Sequence, residues 1–178
     1  MSKENKELIP KTIKHIFIIS DRRERIETLR KIAKAVNSDK TMIFINTKYD
    51  LEESLQKLQY HNYNVAALAG NIDKQSKKKA VEDFQNGRLQ YLLATDVAAR
   101  GLQIDHVSTV INVNLPEEPT EYLHRAGRCG RNNEQGLCIS IITENELNKI
   151  KKYQKAFNIN IVQKRLYNGK IVSNNVML

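Results

Sequence analysis

Short apolar, β-branched runs alternate with amphipathic stretches along most of this chain. His15-Ile16-Phe17-Ile18-Ile19 is the first run. Behind it Ile26, Leu29, Ala33 and Val36 recur at helical spacing, with Ser20 and Asp21 offering N-caps. Met42 to Ile45 reads as a second buried strand, and Leu51, Leu55 and Leu58 mark one face of the helix that follows. Val65 to Leu68 is a third strand, leading through Gly70 into a helix that carries Ala80, Val81 and Phe84. Asn86-Gly87 stops that helix, because glycine readily takes the left-handed C-terminal conformation. Tyr91 to Ala94 and Val107 to Val113 are further strands, and Leu137 to Ile142 reads as the last. Pro116 and Pro119 punctuate the loop before a helix with Tyr122 and His124. A helix with Leu147, Ile150, Tyr153 and Phe157 closes the unit.

Strands that alternate with helices predict an α/β fold of three layers, a central parallel β-sheet with helices on both faces. The pattern divides the chain into a flexible lead-in over 1–11, one domain over 12–165 and a poorly packed tail over 166–178. Ligands of such sheets lie outside the carboxyl ends of the strands. Asn46-Thr47, Ala69-Gly70 and Thr95-Asp96 are therefore expected to line one edge.

Composition narrows the class. A chain of 178 residues, 40% of them hydrophobic, has the length and apolar content for one folded domain. The net charge of +9 favours a polyanionic partner, nucleic acid or anionic lipid. Cys129 and Cys138 are too few for a disulfide scaffold and lack zinc-ligand spacing, which suits a reducing, cytoplasmic setting. The first ten residues hold no apolar run of a signal peptide, and no segment has the length and apolarity to span a bilayer, so no membrane partner is expected.

The chemistry concentrates in His124-Arg125-Ala126-Gly127-Arg128-Cys129-Gly130-Arg131. Three guanidinium groups recur every third residue, and such a cluster repels itself unless an anion lies among them. Arginine is suited to holding one, because its planar fork stays charged and bonds phosphate oxygens bidentately. Gly127 and Gly130 are expected to let the backbone bend and approach a ligand closely.

In chain order the motifs are Ile43-Phe44-Ile45-Asn46-Thr47, Leu68-Ala69-Gly70, Ala94-Thr95-Asp96-Val97-Ala98-Ala99-Arg100-Gly101-Leu102, and the arginine string. With these the chain resembles the C-terminal, second RecA-like domain of DEAD-box ATP-dependent RNA helicases over roughly residues 12–160. The histidine that opens the last motif favours this family over relatives that carry glutamine there. The resemblance implies that Arg128 and Arg131 are arginine fingers reaching the γ-phosphate of ATP. It implies that His124 and Arg125 couple the ATP site to a first RecA-like domain. Thr47, Gly70, Thr95 and Arg100 match positions along the RNA backbone, contacts that hold phosphate without reading base sequence. Thr95-Asp96 also reads as a plain N-cap, and both roles can hold at once.

The chain departs from the family at three places. Ala69 stands where histidine is usual. Lys77 stands for an RNA-contacting arginine, keeping the charge and losing the fork. Gln103 stands where an aspartate holds the ATP ribose beside Gly101, and Asp105 comes two residues later. Lys77, Lys78 and Lys79 also fit a merely solvated helix face.

Neither a Gly-x-x-x-x-Gly-Lys-Ser/Thr loop nor an Asp-Glu-Ala-Asp string occurs. In the family those elements cradle ATP and hold Mg²⁺, so the chain reads as half an enzyme, inactive alone, its metal held by the first domain. The partners implied are RNA and that domain, with the protein itself a monomer. Two other readings stay open: a binding module without catalysis, which Lys77 and Gln103 favour, and a fragment of a DNA helicase, which His124 disfavours.

Overall fold

The computed structural model describes residues 9–69 and 71–175. Its strands are β1 (Ile13–Ile19), β2 (Thr41–Phe44), β3 (Val65–Leu68), β4 (Tyr91–Ala94), β5 (Thr109–Asn112), β6 (Gly136–Ile142), β7 (Ile161–Tyr167) and β8 (Lys170–Ser173). The helices are α1 (Arg25–Val36), α2 (Lys48–Tyr60), α3 (Lys74–Gln85), α4 (Asp96–Ala99), α5 (Pro119–Ala126) and α6 (Leu147–Phe157). All the strands join one sheet in the order β3-β4-β2-β5-β6-β1-β7-β8, parallel except for the β7–β8 pair.

The central strands read as continuous apolar runs because both of their faces are covered. Ile43, Ile45, Leu93 and Ile139 pack against Leu29, Ile32 and Ala33 of α1 and Leu51 and Leu58 of α2. Met42, Phe44, Leu92 and Cys138, one residue out of step, face Phe84 of α3, Tyr122 of α5 and Tyr153 and Phe157 of α6. The three predicted layers are thus present, with α1 and α2 on one face and α3 to α6 on the other.

Three local expectations are corrected. Ser20 and Asp21 do not cap through their side chains. Asp21 precedes a single 3₁₀ turn, Arg22–Glu24, while Ser20 Oγ bonds Thr28 Oγ1 at 2.8 Å. The 107–113 strand is shorter than its apolar run, because His106 takes a left-handed φ of 58° and Val107 makes only an isolated bridge to Cys129.

The third correction concerns the ends. Leu137 to Ile142 is not the last strand, and the limit at 165 cuts β7. Beyond it, Asn168 and Gly169, with φ of 49° and 74°, turn the chain into an Asn-Gly hairpin. Leu166 and Ile171 then pack on the α1 side of the sheet. The hairpin hid in the sequence because its polar residues, Gln163, Lys164 and Arg165, interrupt any apolar run. At the other end Ile9 is already 9% exposed and part of the core, inside the expected lead-in.

Candidate functional site

The tips of β2, β4 and β5 meet around one buried guanidinium. Arg125, near the end of α5, is 1% exposed, and its head lies 5.2 Å from the Phe44 ring centroid. Nε and Nη2 grip the two Asp96 carboxylate oxygens at 2.7 and 2.6 Å. Nη2 also donates to Asn46 Oδ1 at 2.7 Å, and Nη1 to the Asn114 carbonyl at 2.7 Å and Asn112 Oδ1 at 3.3 Å. A buried charge is tolerated only when it is paired and its donors are satisfied, and this one is. The expectation that Arg125 bonds a neighbouring domain is therefore corrected: its donors are committed inside its own domain, tying the strand tips together.

Beside this hub opens a cleft of about 380 Å³, lined by Asp96, Arg100, Gly101, Glu121, His124 and Arg128 together with Phe44 and Arg125. Arg100 and His124 are exposed on its rim and share the Glu121 carboxylate. Arg128 is half-buried, and its Nη1 and Nη2 donate to the carbonyls of Leu102 at 2.5 Å and Ala99 at 3.3 Å. Burial lowers the pKa of its guanidinium, the nearby charge of Arg131 lowers it further, and Asp105 and Glu121 oppose both. Arg131 is exposed. Its Nε donates to the Gly127 carbonyl at 2.6 Å, and Nη1 lies 4.0 Å from Asp105.

Gly130 has a different reason from the one its sequence suggests. Its φ is +69°, and a Cβ there would lie 2.5 Å from Ile13 Cγ1, while its carbonyl accepts from Thr12 Oγ1. The bare Cα makes room for β1 rather than for a ligand. Gly127 caps α5 in ordinary helical conformation, φ −67°. Gly101 and Gln103 lie exposed on the loop after α4, and the Gln103 carbonyl accepts from Gln85 Nε2 at 3.4 Å.

Thr95 directly follows β4 and Thr47 lies three residues past β2, and both are N-caps. Thr47 Oγ1 accepts from the Asp50 amide and Thr95 Oγ1 from the Ala98 amide, each at 3.2 Å. Accepting leaves each hydroxyl proton free to donate outward, so the cap and a phosphate contact are compatible. Lys77 lies half-buried on the first turns of α3, behind the Asp73 cap. Gly70 lies outside the described residues.

Sequence reasoning missed Asn46 as a ligand of Arg125, and Asn112, Asn114 and Glu121 altogether. Only their positions at strand ends and one turn before His124 marked them. Behind the hub, Asn112 Nδ2 donates to Ser140 Oγ at 3.1 Å and contacts Cys138 Sγ, which contacts Tyr122 Oη. Tyr122 Oη bonds His15 Nδ1 at 2.9 Å. Burial lowers the His15 pKa to about 4 and raises the Cys138 thiol to about 11. A polar chain thus crosses the core from strand tips to β1.

The sheet order, the layers and the arginines at the strand tips place the chain among RecA-like domains. Residues 24–133 match the family model of the helicase conserved C-terminal domain, and the chain belongs to that family, as the C-terminal RecA-like domain of DEAD-box type. It is 34% identical over 160 residues to the DEAD-box ATP-dependent RNA helicase CshC of Bacillus cereus, covering 90% of this chain and 41% of that protein. It matches the C-terminal domain of the DEAD-box protein Dbp5 with a TM-score of 0.81 at 29% identity, covering 86% of this chain and 91% of that one. S. cerevisiae Dbp5 bound to RNA and ADP BeF3 matches with a TM-score of 0.84 at 28% identity, covering 93% of this chain and 44% of that one. The chain spans about two fifths of the length of CshC.

Proposed function

We propose that this chain is the second motor domain of an ATP-dependent RNA helicase. In this reading Arg128 and Arg131 are its arginine fingers, and Thr47, Gly70, Lys77, Thr95 and Arg100 form part of its RNA-backbone surface. The observation that carries the reading is the convergence of Arg100, His124 and Arg128 on the rim of one strand-tip cleft. Arg128 rests on neutral carbonyls rather than a carboxylate. A phosphoryl oxygen presented by a first domain is the stronger acceptor for a guanidinium, so the head can exchange partners. Arg131 lies outside the lining of this cleft, exposed, with Nε on the Gly127 carbonyl and Nη1 at the 4.0 Å limit of an ion pair with Asp105.

ATP and RNA close the two domains into one cleft, the fingers neutralise charge that grows in the phosphoryl-transfer transition state, and hydrolysis reopens the cleft. A bent RNA strand and a locally opened duplex follow from closure. Gln103 and Gly101 sit on the loop that faces the nucleotide. Among the described residues no group of three or more His, Cys, Asp or Glu could hold a metal ion. Among them, too, no helix is long and apolar enough to cross a membrane.

The test is RNA-stimulated ATP hydrolysis by the chain supplied with a DEAD-box first domain. The chain alone should turn over no ATP. Arg128→Ala should lower kcat of the assembled enzyme by on the order of 10³-fold or more. Turnover by the chain alone, or an unimpaired Arg128→Ala enzyme, overturns the reading. RNA binding without any stimulated hydrolysis points instead to a binding module.

A further inference from the structure

Glu121 stands on the first turn of α5, three residues before His124, and the two side chains share one helix face. Its carboxylate is divided between a guanidinium and an imidazole. Oε1 lies 3.5 Å from Arg100 Nη2 and Oε2 lies 3.7 Å from His124 Nδ1. The acid is the fixed member, 23% exposed, whereas Arg100 and His124 are 69% and 63% exposed. All three line the cleft beside Arg128, whose charged form Glu121 also favours.

We propose that Glu121 is a positioning residue that couples the RNA side of this cleft to its ATP side, an inference resting on the roles given above to Arg100 and His124. A phosphate oxygen and a carboxylate oxygen are rival acceptors for one guanidinium. The 3.5 Å contact is at the long limit of a hydrogen bond, so Arg100 exchanges readily. When an RNA phosphate takes Arg100, the whole Glu121 charge is left to His124 and Arg128. With Nδ1 facing Glu121 at 3.7 Å, the exposed imidazole leaves Nε2 for whatever a first domain presents. RNA is sensed by the release of one carboxylate.

Rivalry makes an unusual prediction: removing the acid tightens RNA binding while impairing the enzyme. Glu121→Gln in this chain should bind a fluorescein-labelled, ten-nucleotide single-stranded RNA about 2- to 5-fold more tightly, the range of an exposed ion pair. The gain should vanish in an Arg100→Ala background, because Glu121 acts through Arg100. With a first domain supplied, Glu121→Gln should lower RNA-stimulated kcat about tenfold while the apparent KM for RNA falls, and Glu121→Asp should restore most of kcat. A purely structural role would weaken binding and kcat together.

Unchanged or weaker RNA binding by Glu121→Gln, with Arg100→Ala still impairing it, overturns the coupling and leaves the function intact. A gain that survives in the Arg100→Ala background reduces Glu121 to a general negative charge and also overturns it. Arg100→Ala without effect on RNA binding overturns the assigned role of Arg100 and the coupling with it. Thermal unfolding of each variant, expected within a few degrees of the parent, separates these outcomes from loss of fold.

Discussion

Arg125 and Asp96 form a bidentate ion pair, 2.7 and 2.6 Å, between α5 and the start of α4. The arginine is almost fully buried and the acid 22% exposed. Breaking a buried pair by removing one partner costs about 3–5 kcal/mol, because the remaining charge is left uncompensated. Asp96→Asn should therefore destabilise the domain by about that amount in urea unfolding and loosen the strand-tip loops. Asp96→Glu, which keeps the charge with poorer geometry, should cost less.

Thr95 separates capping from ligand contact. Thr95→Asp keeps an acceptor for the Ala98 amide, so unfolding should shift by less than about 1 kcal/mol. The added negative charge lies where the proposed RNA backbone runs, and RNA affinity should fall at least tenfold. Thr95→Ala should instead lose about 1 kcal/mol of stability with a milder effect on RNA. Unfolding curves and RNA titrations on both variants read the two effects apart.

Gln103 is exposed on the loop after α4, with no carboxylate at its position. A charged acceptor bonds ribose hydroxyls more strongly than an amide does. Gln103→Asp should therefore tighten ATP binding by the enzyme assembled with a first domain, read as a lower KM for ATP. Unchanged affinity argues that the loop does not touch the nucleotide.

His15 makes stability depend on pH. Burial holds its pKa at about 4 in the fold against 6.5 for the free group, so the unfolded chain binds the proton more readily. The fold is at full strength above pH 6.5, weakens as pH falls from 6.5 towards 4, and loses no more to this group below that. The limit is about 3 kcal/mol, from about 1.36 kcal/mol per pKa unit. Glu27, lowered to about 2 by its bonds to Arg30 and Lys57, acts only below about pH 4.5. Denaturant unfolding of the parent and His15→Phe, at about pH 7 and about pH 5, should show the parent losing stability and the variant keeping most of its own.

The alternation of β-branched runs with helical spacing was enough to place most elements. Tyr91–Ala94 begins and ends where its apolar residues do, because a strand buried on both faces needs continuous apolarity. The same rule failed at β7 and β8, an edge hairpin with a solvated face. There Asn168-Gly169 was the available signal. The Thr95 cap was legible because a hydroxyl before a helix has a local job, whereas the Thr47 cap was not read from the sequence. Glu121 and Asn114 were not legible, since nothing local distinguishes them from surface residues.

What the linear order of residues settled is whatever short-range physics decides: periodicity, caps, turns and the chemical nature of a string of guanidinium groups. Which arginine serves which purpose was decided only by folding. Arg125, Arg128 and Arg131 are chemically alike and evenly spaced, yet one is sealed among Asp96, Asn46 and Phe44, one is half-buried on the carbonyls of Leu102 and Ala99, and one is exposed on the Gly127 carbonyl beside Asp105. Burial and partner supply are properties of packing between segments far apart in the chain, and spacing carries no record of them.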